Sequence, residues 1–367
     1  MQEPFSSRRA ALISIVCVSL LGLIPNGSAQ LSPAQFDSLS AAGKTALEAR
    51  NYAEAEKQFK AALLLAQKFP AGDSRRIDIL AQLAETYKQQ KRLDEAESFA
   101  KQALELAEKA GTEKNALSNL SSCLNNLAAI YFSENKLSDA EALSVRAIAL
   151  DEKTLGAGNK GLVPGLNNLA DLYKAEGKLE QAEATYKKVA AIWEKSAPDS
   201  VQLAVALDSL AAFYRAAKRP ADSEEPAKRS LAILEKQGAK NPRLAAAYAN
   251  LGNTYKALNK FDEAEAAYKK ALELNESLFG PKHIEVARSI RNLAKLYKAE
   301  GKSSEAESFY KRAIAINEAA PDSNKADLIK DLESYADLLR KTNREEDAEE
   351  IDSKVEALKS AVPASTK

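Results

Sequence analysis

Residues Leu251 to Leu272 read LGNTYKALNKFDEAEAAYKKAL, two short helical periods joined by a tight turn. Leu251, Gly252 and Tyr255 share one face of the first period, and Ala264, Ala267, Tyr268 and Ala271 share one face of the second. Asn259 and Lys260 stand between them, and Phe261 opens the second helix. A helix this short is marginal alone in water. Each apolar stripe must therefore be covered by another copy of the same unit.

Those copies are present. An eroded first copy begins at Ala42, complete copies at Leu83, Leu127, Leu169, Leu210 and Leu293, and a degenerate last copy at Tyr335. Successive spacings are 41, 44, 42, 41, 41, 42 and 42 residues. A period this constant predicts a solenoid in which each unit packs on its neighbours. Ala or Gly follows the leucine, and a second small residue (Ala55, Ala96, Ala140, Ala182, Ala264, Ala306, Ala348) stands early in the second helix. Both let the two helices of a unit approach closely, and a bulky residue at either would overpack the crossing by roughly 1–3 kcal/mol. The fifth copy departs from the rule: Ser223 replaces the small apolar residue, Ala227 the aromatic, and Pro220 and Pro226 fall in the second helix. Pro220 can start a helix, whereas Pro226 should delay or kink it and loosen the array there.

The order L-A-x-x-Y, turn, E-A-E-x-x-Y-x-x-A-L resembles the tetratricopeptide repeat over residues 34–360. The period near 42, the phrase NNLA-x-x-Y and the links DEKTLGAGNK and NESLFGPKHIEVA resemble its kinesin-light-chain subgroup. The resemblance implies an all-α, right-handed superhelical solenoid of about eight helix-turn-helix repeats. These fall near residues 36–68, 77–110, 121–153, 163–195, 204–237, 245–277, 287–318 and 329–359, within a solenoid of residues 30–360. The acidic last copy reads as a solvent-facing cap, and residues 361–367 as a disordered tail.

Ahead of the repeats, Arg8 and Arg9 precede an uncharged apolar run, Ala10 to Ile24, followed by Pro25 and the small residues Gly27, Ser28 and Ala29. This is the pattern of a secretory signal peptide, residues 1–29, with Gln30 as the mature N-terminus. Export to a bacterial periplasm or the extracellular space is expected. The run is shorter than the roughly 20 residues of a membrane span; an uncleaved inner-membrane anchor on a structural envelope component is the alternative.

The chain carries 52 Lys+Arg against 52 Asp+Glu, a balance that argues against a general nucleic-acid binder. His283 is the lone histidine, in a link between repeats, and Cys123 the lone cysteine of the body. They make no triad and no metal-ligand spacing, and there is no glycine-rich phosphate loop. No catalytic residue, metal or cofactor is expected, no segment is left over for a catalytic domain, and Trp193 reads as packing between repeats. Binding is the expected activity.

The surface for it lies opposite the stripe of each first helix. Just before the leucine stand Gln82, Asn126, Asn168, Ser209, Asn250, Asn292 and Ser334, with Asn125, Asn167 and Asn253 adding to the ladder. Amides both donate and accept, and can hold an extended peptide backbone or fasten one repeat to the next. Five residues after the leucine the chain is basic six times: Lys88, Lys174, Arg215, Lys256, Lys298 and Arg340. Arg288, Arg291, Lys295, Lys330 and Lys341 thicken this stripe toward the end, diluted by Asp208, Glu333 and Asp337. Cations in a last helical turn also favour the helix dipole, which accounts for the stripe but less well for Arg288, Arg291 and Lys295. The expectation is a basic, Asn-lined groove in repeats six to eight for an acidic peptide of a protein partner, with no nucleic acid and no membrane insertion once the leader is removed.

Overall fold

The computed structural model describes residues 33–70, 73–238, 242–320 and 325–360. The expected leader and tail lie outside them. The described residues form sixteen α-helices and one short 3-10 turn, with no strand among them. The helices pair as eight repeats: α1 Pro33–Glu48 with α2 Tyr52–Ala66, α3 Ser74–Gln89 with α4 Leu93–Lys109, α5 Lys114–Ser133 with α6 Leu137–Leu155, and α7 Val163–Ala175 with α8 Leu179–Ser196. Then come α9 Val201–Ala216 with α10 Pro220–Lys236, α11 Pro242–Ala257 with α12 Phe261–Phe279, α13 Ile284–Glu300 with α14 Ser303–Glu318, and α15 Lys325–Lys341 with α16 Glu345–Ser360. The chain divides after Ala110 into two compact units. The first holds repeats one and two, the second repeats three to eight.

Small residues set the helix crossings. Ala55, Ala96, Ala140, Ala182, Ser223, Ala264, Ala306 and Ala348 are all at zero exposure. In repeat six the partner position must be glycine. A Cβ on Gly252 would lie 2.7 Å from the Tyr268 ring, which is itself buried and hydrogen-bonded.

Every turn within a repeat uses one device. The residue eight after the leucine position has positive φ: Arg50, Lys91, Asn135, Gly177, Lys218, Asn259, Gly301 and Asn343. This left-handed residue lets the next amide reach back over the helix end. Lys260 N donates to Tyr255 O at 2.9 Å, Arg219 N to Tyr214 O at 2.8 Å and Lys302 N to Tyr297 O at 2.9 Å. The same pattern closes all eight turns, and satisfies carbonyls that a helix end otherwise orphans.

That next residue is usually a cation, and it ties repeats together. Arg92 lies over the Tyr87 ring, its carbon 4.4 Å from the centroid, and pairs with Glu56 of the preceding repeat at 3.0 Å. Tyr87 Oη donates to the same carboxylate at 3.0 Å. Within the second unit, Arg219 and Tyr214 share Glu183, Lys260 pairs with Glu224, Lys178 with Glu141 and Arg344 with Glu307. These glutamates follow the small residue of the E-A-E phrase. Most are more than surface charge: they clamp one repeat to the next.

The fifth repeat corrects an expectation. Pro226 does not delay the second helix: α10 starts at Pro220 and runs through Pro226 to Lys236. Pro226 is buried, and Ser223 Oγ, also buried, donates to Pro220 O at 2.7 Å and bonds Thr254 Oγ1 at 3.2 Å. The polar replacement is thus satisfied. Cys123 is buried and forms no disulfide with a described residue. His283 caps α13, its Nδ1 accepting from Glu285 N at 3.2 Å, with the ring stacked on Phe279. Trp193 is half-buried against the core of repeats three to six. None of the described helices is long and apolar enough to cross a membrane.

Candidate functional site

The first helices of repeats six, seven and eight, α11, α13 and α15, meet around one open concavity of about 500 Å³. Lys256 comes from α11, Lys295, Lys298 and Ala299 from α13, and Glu333, Ser334, Asp337 and Lys341 from α15. Tyr310 of α14 completes the lining. Apart from Tyr310, these side chains converge because each stands on the side of its first helix away from the repeat's own apolar stripe.

The lining is net cationic, with Lys256, Lys295, Lys298 and Lys341 against Glu333 and Asp337. Asp337 is engaged by Lys298, and Glu333 pairs with Lys359 at 3.2 Å. Among the described residues Lys256, Lys295 and Lys341 make no ion pair, although Lys341 adds to the field that lowers Asp337. Burial, and then repulsion from Lys295 and Arg215, hold the Lys256 ammonium below the ordinary lysine range. Lys295 is lowered too, by burial and by Arg291, Lys298 and Lys330 against a partial offset from Asp331. Tyr310 is fully buried, its hydroxyl beside that of Ser334 but outside good hydrogen-bond geometry.

The other sequence-derived candidates fall elsewhere. Arg291 does not face the groove: it is buried in an ion pair with the fully buried Asp331 and a second with Asp327 at 3.2 Å, which join α13 to α15. Asn317 Nδ2 donates to the other Asp331 oxygen at 2.5 Å. Removing one partner of such a pair typically costs about 3–5 kcal/mol, so Arg291 belongs to the fold. Arg288 pairs with Glu285 at 2.9 Å and with Asp327. Arg340 reaches Glu345 and Asp352 of its own repeat. Lys174 pairs with Asp171 on the same helix. Arg215 donates to Thr254 Oγ1 at 3.1 Å and to Asn250 O, fastening repeat five to six; nearby, burial pushes the Asp208 carboxyl up to about 6.

The amides divide as well. Asn253 Oδ1 accepts from Tyr268 Oη at 2.8 Å, a packing role. Asn168 is exposed, while Asn126, Asn250 and Asn292 are half-buried. None of them lines the concavity, where Ser334 is the ladder's member. Of the predicted cations, Lys256, Lys295, Lys298 and Lys341 are brought together. Tyr310 was missed, since at its sequence position it reads as a core aromatic.

The tetratricopeptide repeat family model matches residues 35–109, 162–236 and 243–319, and a second model of the same description matches residues 120–159. The chain belongs to the tetratricopeptide repeat family. Similar solved structures include kinesin-light-chain-like repeats, among them a putative kinesin light chain from Podosopora anserina, at 24% identity and TM-score 0.48 over 55% of this chain and 95% of that one. The quorum sensor NprR from B. thuringiensis is similar at 15% identity and TM-score 0.61, over 88% and 87% of the two chains. A signal-transduction ATPase with a tetratricopeptide repeat sensor from Pyrococcus horikoshii is similar at 18% identity and TM-score 0.58, over 76% and 41%. Comparison with curated proteins gives no match.

Proposed function

We propose that this chain is an exported, non-catalytic interaction scaffold that holds an acidic peptide segment of a protein partner along the first helices of repeats six to eight. The tetratricopeptide fold supports protein or peptide partners in general. The observation that carries the acidic preference is the concavity in which Lys256, Lys295 and Lys341 make no ion pair with the described residues. An extended acidic segment would supply the missing counter-charges, and peptide side chains could reach Ser334 and Lys298 beside them. Attraction of this kind weakens as salt rises.

Lys256→Glu combined with Lys295→Glu tests this. Neither side chain makes an ion pair or hydrogen bond with the described residues, so the variant should keep its helical content. Its affinity for a short Asp- and Glu-rich peptide, measured by calorimetry, should fall by at least about tenfold. Unchanged affinity would overturn the groove reading.

Export rests on the leader pattern in residues 1–29. The mass of the chain isolated from its native source should correspond to an N-terminus at Gln30. A mass that includes Ala10 to Ile24 would favour the anchored alternative.

A further inference from the structure

We infer that the concavity between α11, α13 and α15 is a subsite for a compact dianion of the phosphoryl type, carried by the bound segment. This rests on the reading of that wall as a ligand surface, and adds what the ligand presents there. The first observation is which cations the fold leaves free. The arginines of this region are all committed within the chain: Arg288, Arg291 and Arg340 to carboxylates, and Arg215, beside Lys256, to Thr254 Oγ1 and Asn250 O. A guanidinium reads a planar carboxylate through two parallel hydrogen bonds. The groups left over are ammonium groups, point charges that answer to charge density and not to a planar fork.

The second observation is how those charges are arranged. Lys256 and Lys295 are close enough to repel each other, and each is partly desolvated. One carboxylate would leave most of this repulsion in place. A phosphoryl group brings about −1.5 to −2 charges and three acceptor oxygens within a single small group. With Asp337 and Glu333 already paired, three ammonium groups remain to receive it. The third observation is Tyr310. A buried hydroxyl that makes no good hydrogen bond is costly, and this one lines the same concavity as the lysines. An oxyanion there offers it a charged acceptor in place of the neighbouring Ser334 hydroxyl.

The test uses the full chain and four probes: a short alanine-based peptide with one phosphoserine, the same peptide with Ser, the same with Glu-Glu, and inorganic phosphate. Calorimetry should show the phosphoserine peptide binding about tenfold or more tightly than the Ser and Glu-Glu peptides. Inorganic phosphate should compete with it. Lys256→Gln combined with Lys295→Gln should remove the difference while circular dichroism and thermal midpoint stay as in the parent. Tyr310→Phe should weaken the phosphoserine peptide more than the Glu-Glu peptide, a contrast that a purely structural role would not produce. Glu-Glu binding as tightly as phosphoserine would overturn the dianion inference and leave the acidic-peptide reading standing. No anionic probe binding differently to parent and double variant would overturn both. Inorganic phosphate binding as tightly as the phosphopeptide would keep the subsite and assign it to a free anion, overturning its link to a peptide.

Discussion

Lys218 and Gly301 occupy the same turn position in repeats five and seven, both at positive φ, 59° and 80°. For an L residue with a Cβ, the left-handed conformation costs roughly 1–2 kcal/mol. Glycine avoids that clash but loses more freedom on folding, by roughly 0.5–1 kcal/mol. The difference sets the expected outcome. Lys218→Gly should stabilise the chain by about 0.5 kcal/mol, and Gly301→Ala should destabilise it by about 1 kcal/mol. Denaturant titration followed by circular dichroism checks both. At this scale the packing residues were legible: Leu251, Gly252, Tyr255, Ala264 and Tyr268 all stand where their spacing put them. The roles of the polar residues were not. Arg291 and Lys295 are four apart on one helix and look alike in sequence. One is buried against Asp331 and the other lines an open concavity, because Asp331 lies 40 residues away on the helix that packs there.

Helix α10 shows how packing overrides a local signal. Pro226 removes one helical hydrogen bond and crowds the preceding turn, at a cost of up to roughly 3 kcal/mol in a helix interior. The helix persists because Ser223, Pro226, Ala227, Ser230, Leu231, Ile233 and Leu234 are all buried. Burial against neighbouring helices outweighs the missing bond. The cost should still appear in dynamics. Amides of the first turns of α10 should exchange faster with solvent than those of α12 by hydrogen-exchange mass spectrometry, and Pro226→Ala should slow them and raise the thermal midpoint. Equal protection in α10 and α12 would remove the idea of a loose point in repeat five.

Across the whole molecule, the repeated carboxylate clamp predicts how stability follows pH. Glu183 is held down to about 2, first by Lys187 and then by Arg219; Glu307 is held down to about 2, first by Lys311 and then by Arg344. A carboxylate lowered in the folded chain stabilises it above its unfolded value of 4.5, and that contribution is lost as pH falls from there through about 2. Each pair is partly exposed, so about 1 kcal/mol per clamp is the reasonable scale. The thermal midpoint should therefore drop progressively below pH 4.5. Glu183→Gln with Glu307→Gln should lower the midpoint at pH 7 and flatten the acid limb. An acid limb identical to the parent's would show that the clamps contribute nothing.

The sequence by itself determined the repeat, its register and its helix pairs. Apolar spacing and small residues act within one unit and its immediate neighbour, and both are written along the chain. A cation nine after the leucine position also recurs from Arg92 to Arg344, but its role was not legible there: its place against the previous repeat's glutamate, and in Arg92 and Arg219 over the tyrosine, needs the stacked geometry. Tertiary structure alone decided which charges the fold uses and which it leaves open. Three helices, each a full repeat apart, bring Lys256, Lys295 and Lys341 together, while the acids and arginines between them neutralise one another. That partition depends on distances between side chains some 40 residues apart, and no local pattern in the chain encodes it.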